Sequence, residues 1–158
     1  DAEAIHNLGG CYSEGYGLTQ DYNKALELWH RAGELGYAGA YHNIGVAYMC
    51  GRGVERDKKR AIHYFELAAI GGHVTARHPL GCVEEDAGNL GRALKHYMIA
   101  AGCGDNDSLK NIKQMFTNGD ATKDDYAKAL QAYQAHLNEI KSPQRDEAAA
   151  ADENYKYY

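Results

Sequence analysis

Four polar side chains recur at one register of this 158-residue chain: His6, His42, His78 and Lys110, spaced 36, 36 and 32 residues apart. Imidazoles in such a row suit three kinds of chemistry: metal ligation, bridging between neighbouring segments, or contact with a bound polar ligand. A second row stands beside it at Asn7, Asn43 and Asn111, interrupted by Pro79. Side-chain amides both donate and accept, so such a row matches the backbone of an extended peptide.

The scaffold that positions these rows is itself periodic. Ala4, Leu8, Gly9 and Tyr12 return as Ala40, Ile44, Gly45 and Tyr48, then as Ala76, Leu80, Gly81 and Glu84, and more weakly as Ser108, Ile112, Lys113 and Phe116. A second block follows each: Ala25, Leu26 and Trp29 recur as Ala61, Ile62 and Phe65, as Ala93, Leu94 and Tyr97, and as Ala129, Leu130 and Tyr133. Residues four apart share a helix face, and Ala25, Leu28, Trp29 and Ala32 make a helical stripe. Each unit thus predicts two helices. A single hairpin cannot bury both its faces, so the units must stack. The boundaries fall at 1–36, 37–72, 73–104 and 105–140.

The connectors fit this plan. In Gly15-Tyr16-Gly17-Leu18-Thr19-Gln20-Asp21 and its partner Gly51-Arg52-Gly53-Val54-Glu55-Arg56-Asp57, the first glycine suits a helix C-terminus. Leu18 and Val54 fold back onto the core, and Asp21 and Asp57 cap the next helix. Unit three shortens the connector and leaves Asn89 as its cap; Gly119, Thr122 and Asp125 restore the long form in unit four. No strand precedes the GxG and no Lys-Ser/Thr pair follows it, which argues against a phosphate loop.

Residues turned away from Ala4, Leu8 and Tyr12 extend the polar rows. They include Ser13 in unit one, Val46 and Met49 in unit two, Cys82 in unit three and Gln114 in unit four. Packed helices lie ~10 Å apart, too far for equivalent histidines to share a zinc with bonds of ~2.0–2.1 Å. The expectation is therefore no metal and no cofactor, with helix bridging and peptide contact both open.

Composition narrows the rest. Hydrophobic residues are 44% and charged residues 25% of the chain, enough for a core and against disorder. A net charge of −5 argues against binding nucleic acid by phosphate neutralisation. The basic cluster Arg52, Arg56, Lys58, Lys59 and Arg60 reads as a solvated loop and helix start. The longest apolar stretch, Tyr97 to Gly104, falls far short of the ~20 residues of a membrane helix. Cys11, Cys50, Cys82 and Cys103 match no metal spacing and are expected as free thiols in the cytoplasm. The chain begins at Asp1 without Met, so a signal peptide is neither seen nor excluded. Catalysis is not expected: Glu84, Glu85 and Asp86 point in different directions, and Ser13, Ser108 and Ser142 lack a His-Asp setting.

Taken together, the pattern A-x-x-x-L-G-x-x-Y-x-x-G-x-G-[LV]-x-x-D-x-x-[KR]-A, followed by an aromatic, an alanine and a glycine, resembles the Sel1-like repeat. Unit one carries it from Ala4, Leu8 and Gly9 through Asp21, Lys24, Ala25 and Trp29 to Gly36. Unit two carries it from Ala40, Ile44 and Gly45 through Asp57, Arg60, Ala61 and Phe65 to Gly72. The pattern decays in unit four, as expected of an end repeat. The resemblance implies an all-α, right-handed α/α superhelix, a solenoid like that of tetratricopeptide repeats, of four helix hairpins plus a C-terminal helix or tail. It also implies a non-catalytic scaffold or adaptor whose concave first-helix surface binds a partner protein or peptide; a structural spacer within a longer array is the alternative. The Lys/Asn pairing of the tetratricopeptide carboxylate clamp is missing at His6/Gly10, His42/Val46 and His78/Cys82.

The prolines mark two irregularities. Either the first helix of unit three starts late, or Pro79 kinks it. Ser142 and Pro143 suit a fresh helix start, leaving 141–158 as a capping helix or flexible tail with Ala148, Ala151, Tyr155 and Tyr158 on one side. That tail, with its acidic residues and tyrosines, is expected to support weak self-association in a neighbouring molecule's groove.

Overall fold

The computed structural model describes the backbone of residues 1–155 and the side chains of residues 1–141. Among the described residues there are eight α-helices, one 3-10 turn and no strand. They group into two compact units, Asp1–Asn89 and Leu90–Tyr158.

The first unit holds α1 (Ala2–Glu14), α2 (Tyr22–Glu34), α3 (Ala38–Cys50), α4 (Lys58–Ile70), a 3-10 turn (Val74–Ala76) and α5 (Arg77–Asp86). The caps form as their chemistry requires. Asp21 accepts from the Lys24 N–H and Asp57 from the Arg60 N–H, each at 3.0 Å. Gly15 and Gly51 end α1 and α3 at φ 75° and 72°, where a side chain would be strained. One core joins Ala25, Leu26, Trp29 and Ala32 of α2 to Ala40, Ile44 and Ala47 of α3. A second joins Ala61, Phe65 and Ala68 of α4 to Ala76 and Leu80.

The expected inward face of α1 is only partly buried: Gly9 is buried and Tyr12 packs on the first core. Leu8 is 43% exposed and Ala4 is exposed, whereas their equivalents Ile44 and Ala40 are at 0%. Ile44 and Ala40 share a core with Ala25, Leu26, Trp29 and Ala32 of α2. The connectors divide the same way. Val54 folds onto the first core, while Leu18 stays 41% exposed.

Pro79 is accommodated by a late start. The 3-10 turn takes the place of the first helical residues, and Pro79 falls in the first turn of α5, where a missing N–H costs little. Replacing Pro79 with Asn is therefore expected to lower stability by about 0.4–1 kcal/mol, because it frees the unfolded chain. A denaturant midpoint that rises instead would show a strained proline.

The second unit holds α6 (Leu90–Gly102), α7 (Asn106–Asn118) and α8 (Lys123–Tyr155), each packed against the other two. Its buried residues include Tyr97 at 0%, Ile112 at 0% and Met115 at 1%. Asp105 caps α7 through the Ser108 N–H at 2.7 Å. Asn89, expected to cap α6, donates its side-chain amide to Glu84 Oε2 at 2.8 Å. Asp125 is not a cap. Thr122 Oγ1 accepts from the Asp125 N–H at 3.1 Å while the Asp125 carboxylate accepts from the Thr122 N–H at 3.0 Å. This reciprocal capping box starts α8 three residues earlier than the repeat register predicts.

In place of a fresh start at Ser142–Pro143, α8 runs on through both residues to Tyr155. The expectations for the tail's side chains, including its part in self-association, lie outside the described residues.

Candidate functional site

The polar rows of the first unit meet through one hydrogen bond. The Asn43 amide Nδ2 of α3 donates to His6 Nε2 of α1 at 2.9 Å, and His6 Nδ1 lies 3.2 Å from Asn7 Oδ1. These two contacts agree with a His6 tautomer that carries its proton on Nδ1. The ring also rests on Tyr37, with centroids 4.7 Å apart. His6 thus bridges successive hairpins, while Asn7 remains exposed.

His42 sits deeper. Its ring lies 5.7 Å from Phe65 and 5.0 Å from His73, which precedes the 3-10 turn. His73 Nε2 is 2.6 Å from Thr75 Oγ1. Burial, then the neighbouring His73, lowers the His42 pKa below the ordinary histidine value; Asn43 pulls weakly the other way. Burial, then His6, lowers that of His73. Below an unfolded value of about 6.5, the unfolded chain then binds more protons than the folded one. Stability is complete above that window and is lost as pH falls through it toward the lowered folded values. Denaturant midpoints are expected to drop between pH 7 and pH 5, and a His42→Gln, His73→Gln double variant to flatten the slope. An unchanged slope in that variant would assign the pH dependence elsewhere.

The remaining candidates divide. Ser13, expected on the outer face, is 5% exposed. Its hydroxyl donates to the Gly10 carbonyl at 2.9 Å, a backbone bond within its own helix that satisfies a buried polar group. Val46 and Met49 are half-buried and pack on the second core. His78 and Cys82 face each other one turn apart on α5, Nε2 to Sγ 3.6 Å. Lys110 and Gln114 belong to α7 of the second unit and are exposed. Lys110 pairs with Asp107 at 2.8 Å, and Gln114 donates to Asn118 at 2.9 Å.

Ser13, Asn43 and Val46 do converge, on a cavity of about 220 Å³ within the first unit. Its other walls are Gly10 and Glu14 of α1, Tyr22 and Trp29 of α2, Ala47 of α3 and Arg52 of the following connector. Sequence reasoning placed Trp29 in the core and Arg52 in a solvated basic loop. Part of that loop is neutralised: Lys58 pairs with Asp86 at 3.3 Å, and Arg60 pairs with Asp57 at 3.4 Å beneath the Tyr48 hydroxyl. One signal for the cavity was present in the sequence, a second glycine beside Gly9 in the middle of a helix. Among the described residues, no group of three or more His, Cys, Asp or Glu side chains is arranged to hold a metal ion. None of the described helices is long and apolar enough to cross a membrane.

A family model described as Sel1 repeat matches residues 2–37 and 38–73, the two hairpins that build this face. The first two hairpins are Sel1 repeats. A Sel1 repeat protein from Oxalobacter formigenes is 28% identical with a TM-score of 0.74, over 87% of this chain and 58% of that one. A protective antigen of uropathogenic Escherichia coli strains, with an SLR fold, is 28% identical with a TM-score of 0.73, over 88% of this chain and 31% of that one. The chain therefore spans about 58% and 31% of the lengths of these two relatives. An immunity protein from Pseudomonas aeruginosa, 17% identical with a TM-score of 0.54 over 87% of this chain and 68% of its own, shares the fold. No curated protein matches the sequence. The all-helical repeat fold expected from the periodicity is the one observed. Sel1 repeats serve in general as scaffolds for protein–protein interaction rather than as catalysts.

Proposed function

We propose that this chain is a non-catalytic protein-interaction module that binds an extended partner peptide along the first-helix face of its hairpins, α1 and α3 of the two Sel1 repeats and α5 after them. The observation that carries the reading is the convergence of Ser13, Asn43 and Val46, from α1 and α3, on one cavity; the same two helices carry the exposed Asn7 and the half-buried Met49. Exposed Glu14 and Arg52 offer an acceptor and donors to a peptide backbone, next to the apolar surface of Trp29, Val46 and Ala47 for its side chains. The spacing of the four cysteines, which suits free thiols, is the ground on which we propose a cytoplasmic setting.

Photo-crosslinking tests the face directly. A photoreactive amino acid at Asn7 or Met49 is expected to trap a partner in cell extract, and one at His63, exposed on α4, to trap none. Changing His42 and Asn43 to Ala should abolish the crosslinks without unfolding the chain. Crosslinks concentrated at His63 would refute the first-helix face.

A further inference from the structure

We infer that the cavity beside Gly10 is an anchor pocket for a single apolar side chain of that peptide, an inference that rests on the first-helix reading above. At about 220 Å³ it lies below the ~300–1,000 Å³ of small-molecule sites, so it suits one side chain of a larger partner. Its apolar lining is Trp29, Val46 and Ala47. The Trp29 indole N–H already donates to the His6 carbonyl at 3.2 Å and the Ser13 hydroxyl to Gly10, so these two donors ask nothing of a ligand. Exposed Glu14 and Arg52 stand at the mouth. One accepts and the other donates, matching the N–H and C=O of a peptide backbone passing over the opening.

Gly10 is the second observation. Glycine weakens a helix interior relative to alanine, so a mid-helix glycine needs a reason. Its neighbour Gly9 has one, because an added Cβ there would strike Trp29. At Gly10 an added Cβ would meet nothing within 4 Å. Packing does not require this glycine, and Val46, Cys82 and Gln114 fill the equivalent positions of the other repeats. What the missing side chain leaves is the open space of the cavity.

The chain's single tryptophan is Trp29, which makes its emission a direct report on the pocket. The probes are acetylated, amidated hexapeptides of serine with one leucine, methionine or phenylalanine, against an all-serine control. Trp29 emission reads the pocket, and saturation-transfer NMR of the peptide reads binding anywhere on the full chain. Apolar-bearing peptides are expected to shift Trp29 emission saturably and the control to leave it unchanged. Gly10→Leu should weaken the response at least tenfold. Gly10→Ala, which adds one methyl to open space, should weaken it less while raising the melting temperature. That pairing of higher stability with lower affinity separates a filled pocket from a damaged fold. A Trp29 response indifferent to both variants, or equal for the control, overturns the inference. Saturation transfer without any Trp29 response overturns the pocket and leaves the first-helix face standing. Silence in both readouts also overturns the pocket, and the face then stands or falls on the crosslinking at Asn7, Met49 and His63.

Discussion

Phe65→Ala is expected to cost about 3–5 kcal/mol, the range for emptying a buried aromatic site. Phe65 is 2% exposed and is among the largest fully buried side chains of the first unit. Its ring fills the seam between α3 and α4: it presses on the backbone of Gly45, lies 5.7 Å from His42, and shares a core with Ala61, Ala68, Ala76 and Leu80. Three of those four neighbours are alanines, too short to reach into the vacated space. The helices would have to move to close it, and the caps at Asp57 and Gly51 hold their ends in place. Phe65→Leu keeps most of the volume and should cost less than about 1.5 kcal/mol. Denaturant melts of the two variants provide the comparison, and hydrogen exchange would place the loss in α3 and α4. A Phe65→Ala loss below about 1 kcal/mol would mean that the seam collapses freely.

The seam is legible in the sequence, because one period sets both sides of it. Recurrence of Ala25 and Trp29 as Ala61 and Phe65 marked the buried stripes, and the aspartates at 21 and 57 marked the caps. What a periodic sequence does not state is how deeply each copy of a position is buried. Leu8 and Ile44 carry the same pattern, yet one is 43% exposed and the other 0%, since burial in a stack belongs to the pair of repeats. Register offsets were equally hidden. His6 bonds Asn43, one residue beyond a full repeat, so the two rows that looked parallel in sequence cross-link in space. Ser13 follows His6 by two turns, which points it outward by register, but its hydroxyl bonds its own helix and so tolerates burial. The start of α8 is ambiguous in sequence because Asp125 keeps the repeat register while Thr122 offers a complete capping box. The cavity escaped for another reason: Arg52 and Tyr22 reach it from segments whose course depends on how the connector folds.

Gly9→Ala and Gly10→Ala are expected to move stability in opposite directions, although the residues are adjacent on one helix. At Gly9 a new Cβ would lie 2.6 Å from Trp29 Nε1, 2.7 Å from its Cδ1 and 3.2 Å from the Ala25 carbonyl oxygen. The carbonyl is backbone and cannot swing aside. The indole is 6% exposed and donates to the His6 carbonyl at 3.2 Å, so moving it breaks that bond as well as the packing. Overpacking costs about 1–3 kcal/mol and a lost hydrogen bond about 1 kcal/mol more. Alanine returns about 1 kcal/mol of helix propensity. The net expectation for Gly9→Ala is a loss of about 1–3 kcal/mol. At Gly10 only the propensity term applies, since nothing lies within 4 Å, and the variant should gain up to about 1 kcal/mol. Gly45 repeats the first case, with the Phe65 ring carbons at 2.7 Å and the Ala61 carbonyl at 3.2 Å. Gly45→Ala should therefore be destabilising alone and partly relieved in combination with Phe65→Leu, a coupling readable in a double-mutant cycle. Equal effects at Gly9 and Gly10 would mean that the helix backbone shifts to absorb either methyl. The close approach of α1 to Trp29 would then not be what fixes glycine at this position of the repeat.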